Sequence, residues 1–199
     1  RIAFVNKMDR VGADFKRTFG QIISKLGGNP VAIQLPIGSE DKFTGIVDVV
    51  RMKAIRWNDE AVGGDFVVEE IPAELQAQAR AYREQLIEKV SEVDDKILEL
   101  YLHGQDVPEA RIKAALRKRT VESVRREDAA FVPVICGAAF KNKGVQALLD
   151  AVVDYLPSPL EIPAMIGIDP LGADGAQTER PAKDDAPFAG LAFKIMTDP

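Results

Sequence analysis

Asn6, Lys7 and Asp9 stand together directly after a short apolar run, residues 2–5, in "RIAFVNKMDR". An amide, a cation and a carboxylate within four positions suit the recognition of a planar heterocycle. A carboxylate accepts two hydrogen bonds at once from donors that lie side by side. Guanine offers that pair in its ring N1–H and its exocyclic amino group, whereas adenine has neither at that edge, so Asp9 would match one base and not the other. A buried polar group that the wrong ligand leaves unpaired discriminates by orders of magnitude. Asn6 could donate to N7 and brace the loop, while the stem of Lys7 could lie over the base face as an apolar lid. The competing reading is a charged turn after a strand, because N-K-x-D fixes only three positions.

A second loop, "CGAAFKNKG" (136–144), follows the other short apolar run, "FVPVIC". Small residues there let the backbone approach a ligand closely. A backbone N–H of Ala138 or Ala139 could reach guanine O6, an acceptor where adenine carries a donor. Taken alone the loop reads as an ordinary glycine-rich turn. Two loops of complementary chemistry at the ends of two strands favour the guanine reading, because open α/β sheets bind ligands beyond the carboxyl ends of their strands.

The elements that must position these loops follow from periodicity. Phe15, Phe19, Ile22, Ile23 and Leu26 predict a helix over 13–26 with one apolar face, ended by Gly27 and Gly28. Val31, Ile33, Leu35 and Ile37 alternate and predict one half-exposed strand. Further strand-like runs at 43–50, 52–57 and 66–71 are separated by turn signals at 39–42, 58–59 and 63–64, which predicts an antiparallel meander. Helices are expected over 73–92, 95–102 and 108–125. The first style returns with the strand at 131–136 and a helix over 144–156, where Val145, Leu148, Leu149, Val152 and Leu156 share a side. "PSPLEIP" reads as a stiff linker, 169–187 as loop, and 188–196 as a strand lacking a partner. The fold class is therefore α/β: a parallel sheet (1–28 and 131–160) interrupted by an α+β insert (29–130), with 161–199 as linker and the start of another domain.

Composition narrows the function. The 199 residues are 46% hydrophobic, enough for a sizeable core, and the net charge of −5 offers no global basic field for nucleic acid. No apolar run is long enough to span a bilayer, and no secretory signal opens the chain. A cytoplasmic setting fits the single cysteine, Cys136, which excludes an internal disulfide. That cysteine and the single histidine, His103, cannot build a Cys/His zinc site, and His103 before Gly104 reads as a helix-end cap.

"FVNKMDRVGADF", "QLPIGSEDKFTGIVD", "GAAFKNKGVQALLDAVVDYLPSP" and "LAFKIMTDP" together resemble the bacterial elongation factor G family of translational GTPases. The resemblance runs over essentially the whole chain. It implies that Asn6, Lys7 and Asp9 are guanine-specificity residues and that Ala138 and Ala139 occupy the second base-contacting loop. The family usually has Ser-Ala there, so Ala138 is a departure. It further implies GTP and GDP as ligands, the ribosome as partner, translocation as the process, a monomer, and a β-barrel domain beginning near 161. Related ribosome-binding GTPases share N-K-x-D, and a non-catalytic interaction module is the alternative of a different class.

No G-x-x-x-x-G-K-[ST] occurs in the sequence, so nothing here cradles phosphates. D-x-x-G occurs at 9–12 and 169–172, but neither follows a strand as a Mg²⁺- and phosphate-sensing switch should. The chain thus reads as beginning inside a GTPase domain, with no catalytic residue of its own and Mg²⁺ expected only with an upstream part.

The insert has its own signature. Residues 38–130 hold 20 acids against 15 bases, which accounts for the whole net charge of −5. Glu84, Glu88, Glu92 and Asp95 recur at helical spacing and fall within about 80° of one another at about 100° per residue. Tyr82, Leu86, Val90, Val93 and Ile97 lie opposite, so the acids face solvent, and a break near Asp94 would move Asp95. A solvated face is one reading. The resemblance implies another, a contact with the basic surface of a ribosomal stalk protein. Arg117, Lys118 and Arg119, with Arg125 and Arg126, could touch RNA phosphates or simply form a solvated face.

Overall fold

The structure, a computed structural model, describes residues 1–57, 65–123, 130–173 and 175–197. Contacts divide the chain into two compact units, Arg1–Leu156 and Pro157–Pro199. The first contains, in chain order, Ala3–Val5 (β1), Phe15–Leu26 (α1), Asn29–Ala32 (β2), Gln34–Ile37 (β3), Gly45–Asp48 (β4), Lys53–Trp57 (β5), Phe66–Glu69 (β6), Ala73–Ser91 (α2), Asp95–Leu102 (α3), Glu109–Glu122 (α4), Phe131–Cys136 (β7) and Val145–Tyr155 (α5). The second contains the hairpin Met165–Ile168 (β8) and Gln177–Arg180 (β9).

A parallel sheet in the order β1-β7-β2 organises the first unit. All six residues of β7 are buried, as an unbroken apolar run in a covered parallel sheet must be. Pro133 is tolerated at its centre for a local reason. Val134 accepts from Ile33 N–H on the β2 side, so Pro133 points to the β1 side, and β1 pairs only from Val134 onward. The missing N–H therefore falls outside the ladder.

The expected single strand over 31–37 is instead two. Asn29–Ala32 pairs parallel with β7, and Gln34–Ile37 opens the antiparallel sheet β3-β4-β5-β6. Ile33 is the switch: its N–H donates to Val134, and its carbonyl accepts from Val49. Because each half lies in a covered sheet, the run is almost wholly buried rather than half-exposed. The meander itself forms as expected; the turns at 58–59 and 63–64 lie outside the described residues.

α1 begins at Asp14, whose side chain accepts from Arg17 N–H, and ends at Gly27 in the left-handed region. Its buried face is narrower than periodicity suggested: Phe15 and Ile22 are covered, whereas Ile23 and Leu26 are exposed. α5 differs likewise. Ala151 and Tyr155 are buried and Leu148 packs beside them, while Leu149 and Val152 face out. α2 and α4 turn Leu86, Ile87, Val90, Ile112 and Leu116 into the same core that holds β7. Among the described residues no helix is long and apolar enough to cross a membrane.

In the second unit, β9 occupies a stretch read as loop, and no strand forms in the described part of 188–196. Phe188, Leu191, Phe193 and Ile195 are exposed. An alternating segment needs a neighbouring strand to take its backbone hydrogen bonds.

Candidate functional site

β1 and β7 are in register at Val5 and Cys136, so their loops leave the sheet side by side. Gly137 N–H donates to Val5 carbonyl at 3.1 Å, and Met8 N–H donates to Gly137 carbonyl at 3.0 Å. These bonds stitch the two loops together one residue past the strands. Close contact demands glycine: a Cβ on Gly137 would lie 2.4 Å from the Lys143 carbonyl oxygen and 2.7 Å from the Phe4 ring.

Asn6 performs the bracing that its amide suggested. Its Oδ1 accepts from Lys7 N–H at 2.8 Å and from Ala139 N–H at 3.0 Å. The first bond holds Lys7 at φ 62°, an uncommon left-handed value that turns the chain sharply. The second crosses to the other loop. Asp9 is almost covered, its side chain 9% exposed, with Lys141 Nζ 3.4 Å from its carboxylate. The structure thus brings Asn6, Lys7, Asp9, Ala138 and Ala139 to one end of the parallel sheet. It also spends two of the amides in question: Ala138 N–H donates to Lys143 carbonyl at 2.9 Å, and Ala139 N–H to Asn6. A 3₁₀ turn over Ala139–Lys141 then presents Phe140 fully to solvent.

The arrangement offers a nearly covered carboxylate, an amide and a cation stem, set above two loops. Residues 1–158 match the elongation factor Tu GTP binding domain. The chain belongs to this family. It is also similar to a crystal structure of a protein from Thermus thermophilus, with a TM-score of 0.64 and 29% identity over 86% of this chain. The chain spans about a quarter of that protein, 26% of its length.

Within this GTP-binding domain, residues that the motif reading passed over carry much of the geometry. Met8, the variable position of N-K-x-D, is buried and has both backbone groups bonded. Lys143 is buried too, and its Nζ donates to Phe43 carbonyl at 3.1 Å. Gln34 Oε1 accepts from Cys136 N–H, the last amide of β7. Burial alone pushes the Cys136 thiol far up, which leaves it protonated. None of these roles had a sequence signal except the run of small residues at 137–139.

The basic run on α4 has a structural occupation that neither earlier reading gave it. Arg117 donates to the carbonyls of Val153 and Asp154 in the last turn of α5, and Lys118 to Val93 carbonyl. Cations are favoured at such helix ends. Arg119 pairs with Glu92 and stacks 5.7 Å from the Phe131 ring centre. Arg125 and Arg126 lie outside the described residues. His103 caps α3, with Nδ1 2.7 Å from Glu99 carbonyl.

The acidic row is correspondingly altered. Glu92 is engaged by Arg119, and Asp95 opens a separate helix, since Asp94 caps α3 after α2 has ended. Glu84 and Glu88 stay exposed, with no ion pair among the described residues. Also among the described residues, no group of three or more His, Cys, Asp or Glu is placed to hold a metal ion.

Proposed function

We propose that this chain is the guanine-reading part, with its insert, of an elongation factor G-type translational GTPase. The observation that carries the reading is the Asn6–Ala139 bond, which ties the N-K-x-D loop to the second loop beside the shielded carboxylate of Asp9. In this reading Asp9 accepts from guanine N1–H and the 2-amino group, Lys7 covers the base, and Asn6 fixes the second loop. The second loop must shift slightly, or offer its next amide, to meet O6. Phosphate binding, Mg²⁺ and the attacking water belong to residues outside this sequence, so the chain by itself is expected to hydrolyse no GTP.

The test is a two-dimensional amide NMR titration of the chain with millimolar GDP and, separately, ADP. GDP is expected to move the Lys7, Asp9, Ala139 and Phe140 amides, weakly but saturably, and ADP to leave them in place. Equal responses to both nucleotides, or none to GDP, would overturn the assignment.

The same reading extends to the insert, as a surface for the ribosome's stalk protein in the cytoplasm. Glu84 and Glu88 are the residues proposed to steer it, since their charge is exposed and uncommitted to an ion pair. Reversing both to Lys in the intact factor should slow stalk association roughly three- to tenfold at low salt and flatten its salt dependence. GDP affinity should be unchanged. Stopped-flow association across a salt series checks this, and unaltered rates in the folded double variant would reject the surface.

A further inference from the structure

We infer that Glu40, on the turn joining β3 to β4 in the insert, is a positioning residue for the base-reading loop. The inference rests on the guanine reading above and adds the part of the site that the insert supplies. Glu40 grips the loop twice. Its Oε1 accepts from Gly12 N–H at 2.7 Å, and its own N–H donates to Met8 carbonyl at 2.8 Å. Met8 and Gly12 flank Asp9, one directly before it and the other three residues after.

Each of these anchors is held from two directions. Met8 N–H goes to Gly137 and its carbonyl to Glu40. Gly12 N–H goes to Glu40, and its carbonyl accepts from Arg17 Nη2 at 2.9 Å. The loop that carries Asp9 is therefore pinned by the loop after β7, by α1 and by the insert, and its own sequence supplies none of the three anchors. The far end of the insert turn is tied to the second base loop, because Lys143 donates to Phe43 carbonyl.

The turn is built at a conformational cost that marks it as more than a connector. Glu40 itself has φ 57°, a left-handed value that residues with a Cβ adopt only under constraint. Gly38 has φ 77°, and a Cβ there would lie 1.9 Å from Lys42 carbonyl oxygen. An exposed acidic turn needs no such backbone. Here the left-handed value at Glu40 sends its N–H toward Met8 while its carboxylate reaches Gly12.

Coupling of this kind is reciprocal. If Glu40 holds Asp9 in register for the guanine 2-amino group, loss of its carboxylate should cost base discrimination beyond stability. Inosine diphosphate lacks that amino group and isolates the effect. The experiment compares GDP and IDP affinities by amide NMR titration of the whole 199-residue chain, and follows hydrogen exchange at Gly12 without nucleotide. Glu40→Ala should speed Gly12 exchange at least tenfold and reduce the GDP-over-IDP preference roughly fivefold to tenfold, a part of what one charge-assisted hydrogen bond is worth. Glu40→Gln, which keeps an acceptor, should restore part of the preference. Glu40→Gly removes the whole side chain at a residue type that suits the backbone angle, and decides the matter should the Ala variant fail to fold. A wild-type chain that prefers GDP, with variants that keep the full preference, overturns the positioning role alone. A wild-type chain indifferent between GDP and IDP overturns the guanine reading and this inference with it.

Discussion

An Asp9→Asn substitution in the intact GTPase should weaken GDP binding by roughly a hundredfold and raise the affinity for xanthosine diphosphate by a comparable factor. The direction follows from counting donors. In the proposed site the Asp9 carboxylate would present two acceptors to guanine's N1–H and 2-amino group. An Asn presents one acceptor and one donor, so the 2-amino group meets an N–H and the pair becomes repulsive. Xanthine carries a carbonyl at that position and keeps N1–H, which an amide satisfies in full. The near-complete shielding of the Asp9 side chain makes the mismatch costly, because little water can intervene. Lys141, 3.4 Å from the carboxylate, loses its charge partner in the variant, and the resulting change should appear equally with both bases. Competition binding with GDP and xanthosine diphosphate separates the two effects. Retained preference for GDP in a folded Asp9→Asn protein would remove Asp9 from the base site.

The polar residues at this end of the sheet were legible in the sequence, and the scaffold that holds them was hidden. Asn6, Lys7 and Asp9 announce themselves because polar groups crowd the end of an apolar run. β7 announces itself because a strand covered on both faces needs six apolar residues in succession. Long-range anchors leave no comparable trace. Glu40 sits in an acidic turn that looks like solvent-facing filler, and its contact with Gly12 spans 28 residues. The change of sheet at Ile33 is invisible for a related reason. Alternation in 31–37 specifies an extended backbone and two faces, and says nothing of which neighbour takes which hydrogen bonds. The helix faces erred in the opposite sense. α1 and α5 carry more apolar residues than this core covers, so Ile23, Leu26, Leu149 and Val152 fit the periodic pattern and still lie at the surface.

Gly137→Ala should be strongly destabilising for the addition of one methyl, costing about 2–3 kcal/mol of stability. The added Cβ would meet the Lys143 carbonyl oxygen at 2.4 Å and the Phe4 ring at 2.7 Å, so the clash involves backbone on one side and a packed ring on the other. Neither can yield alone. The Lys143 carbonyl accepts from Ala138 N–H, and the Lys143 side chain is buried against Phe43. Relief must therefore come from moving the loop after β7. That motion carries consequences for the base, because Gly137 carbonyl holds Met8 N–H and Gly137 N–H holds Val5 carbonyl. Guanine affinity should fall together with stability, through displacement of Asp9 rather than through any lost contact of its own. Gly20→Ala is the matched control. It lies within α1, a Cβ there meets nothing within 4 Å, and the exchange should stabilise by roughly 0.5–1 kcal/mol. Urea unfolding of both variants, paired with GDP titration, distinguishes close packing at Gly137 from a general intolerance of alanine. Equal midpoints for Gly137→Ala and wild type would mean that the two base loops are not held together as tightly as these distances require.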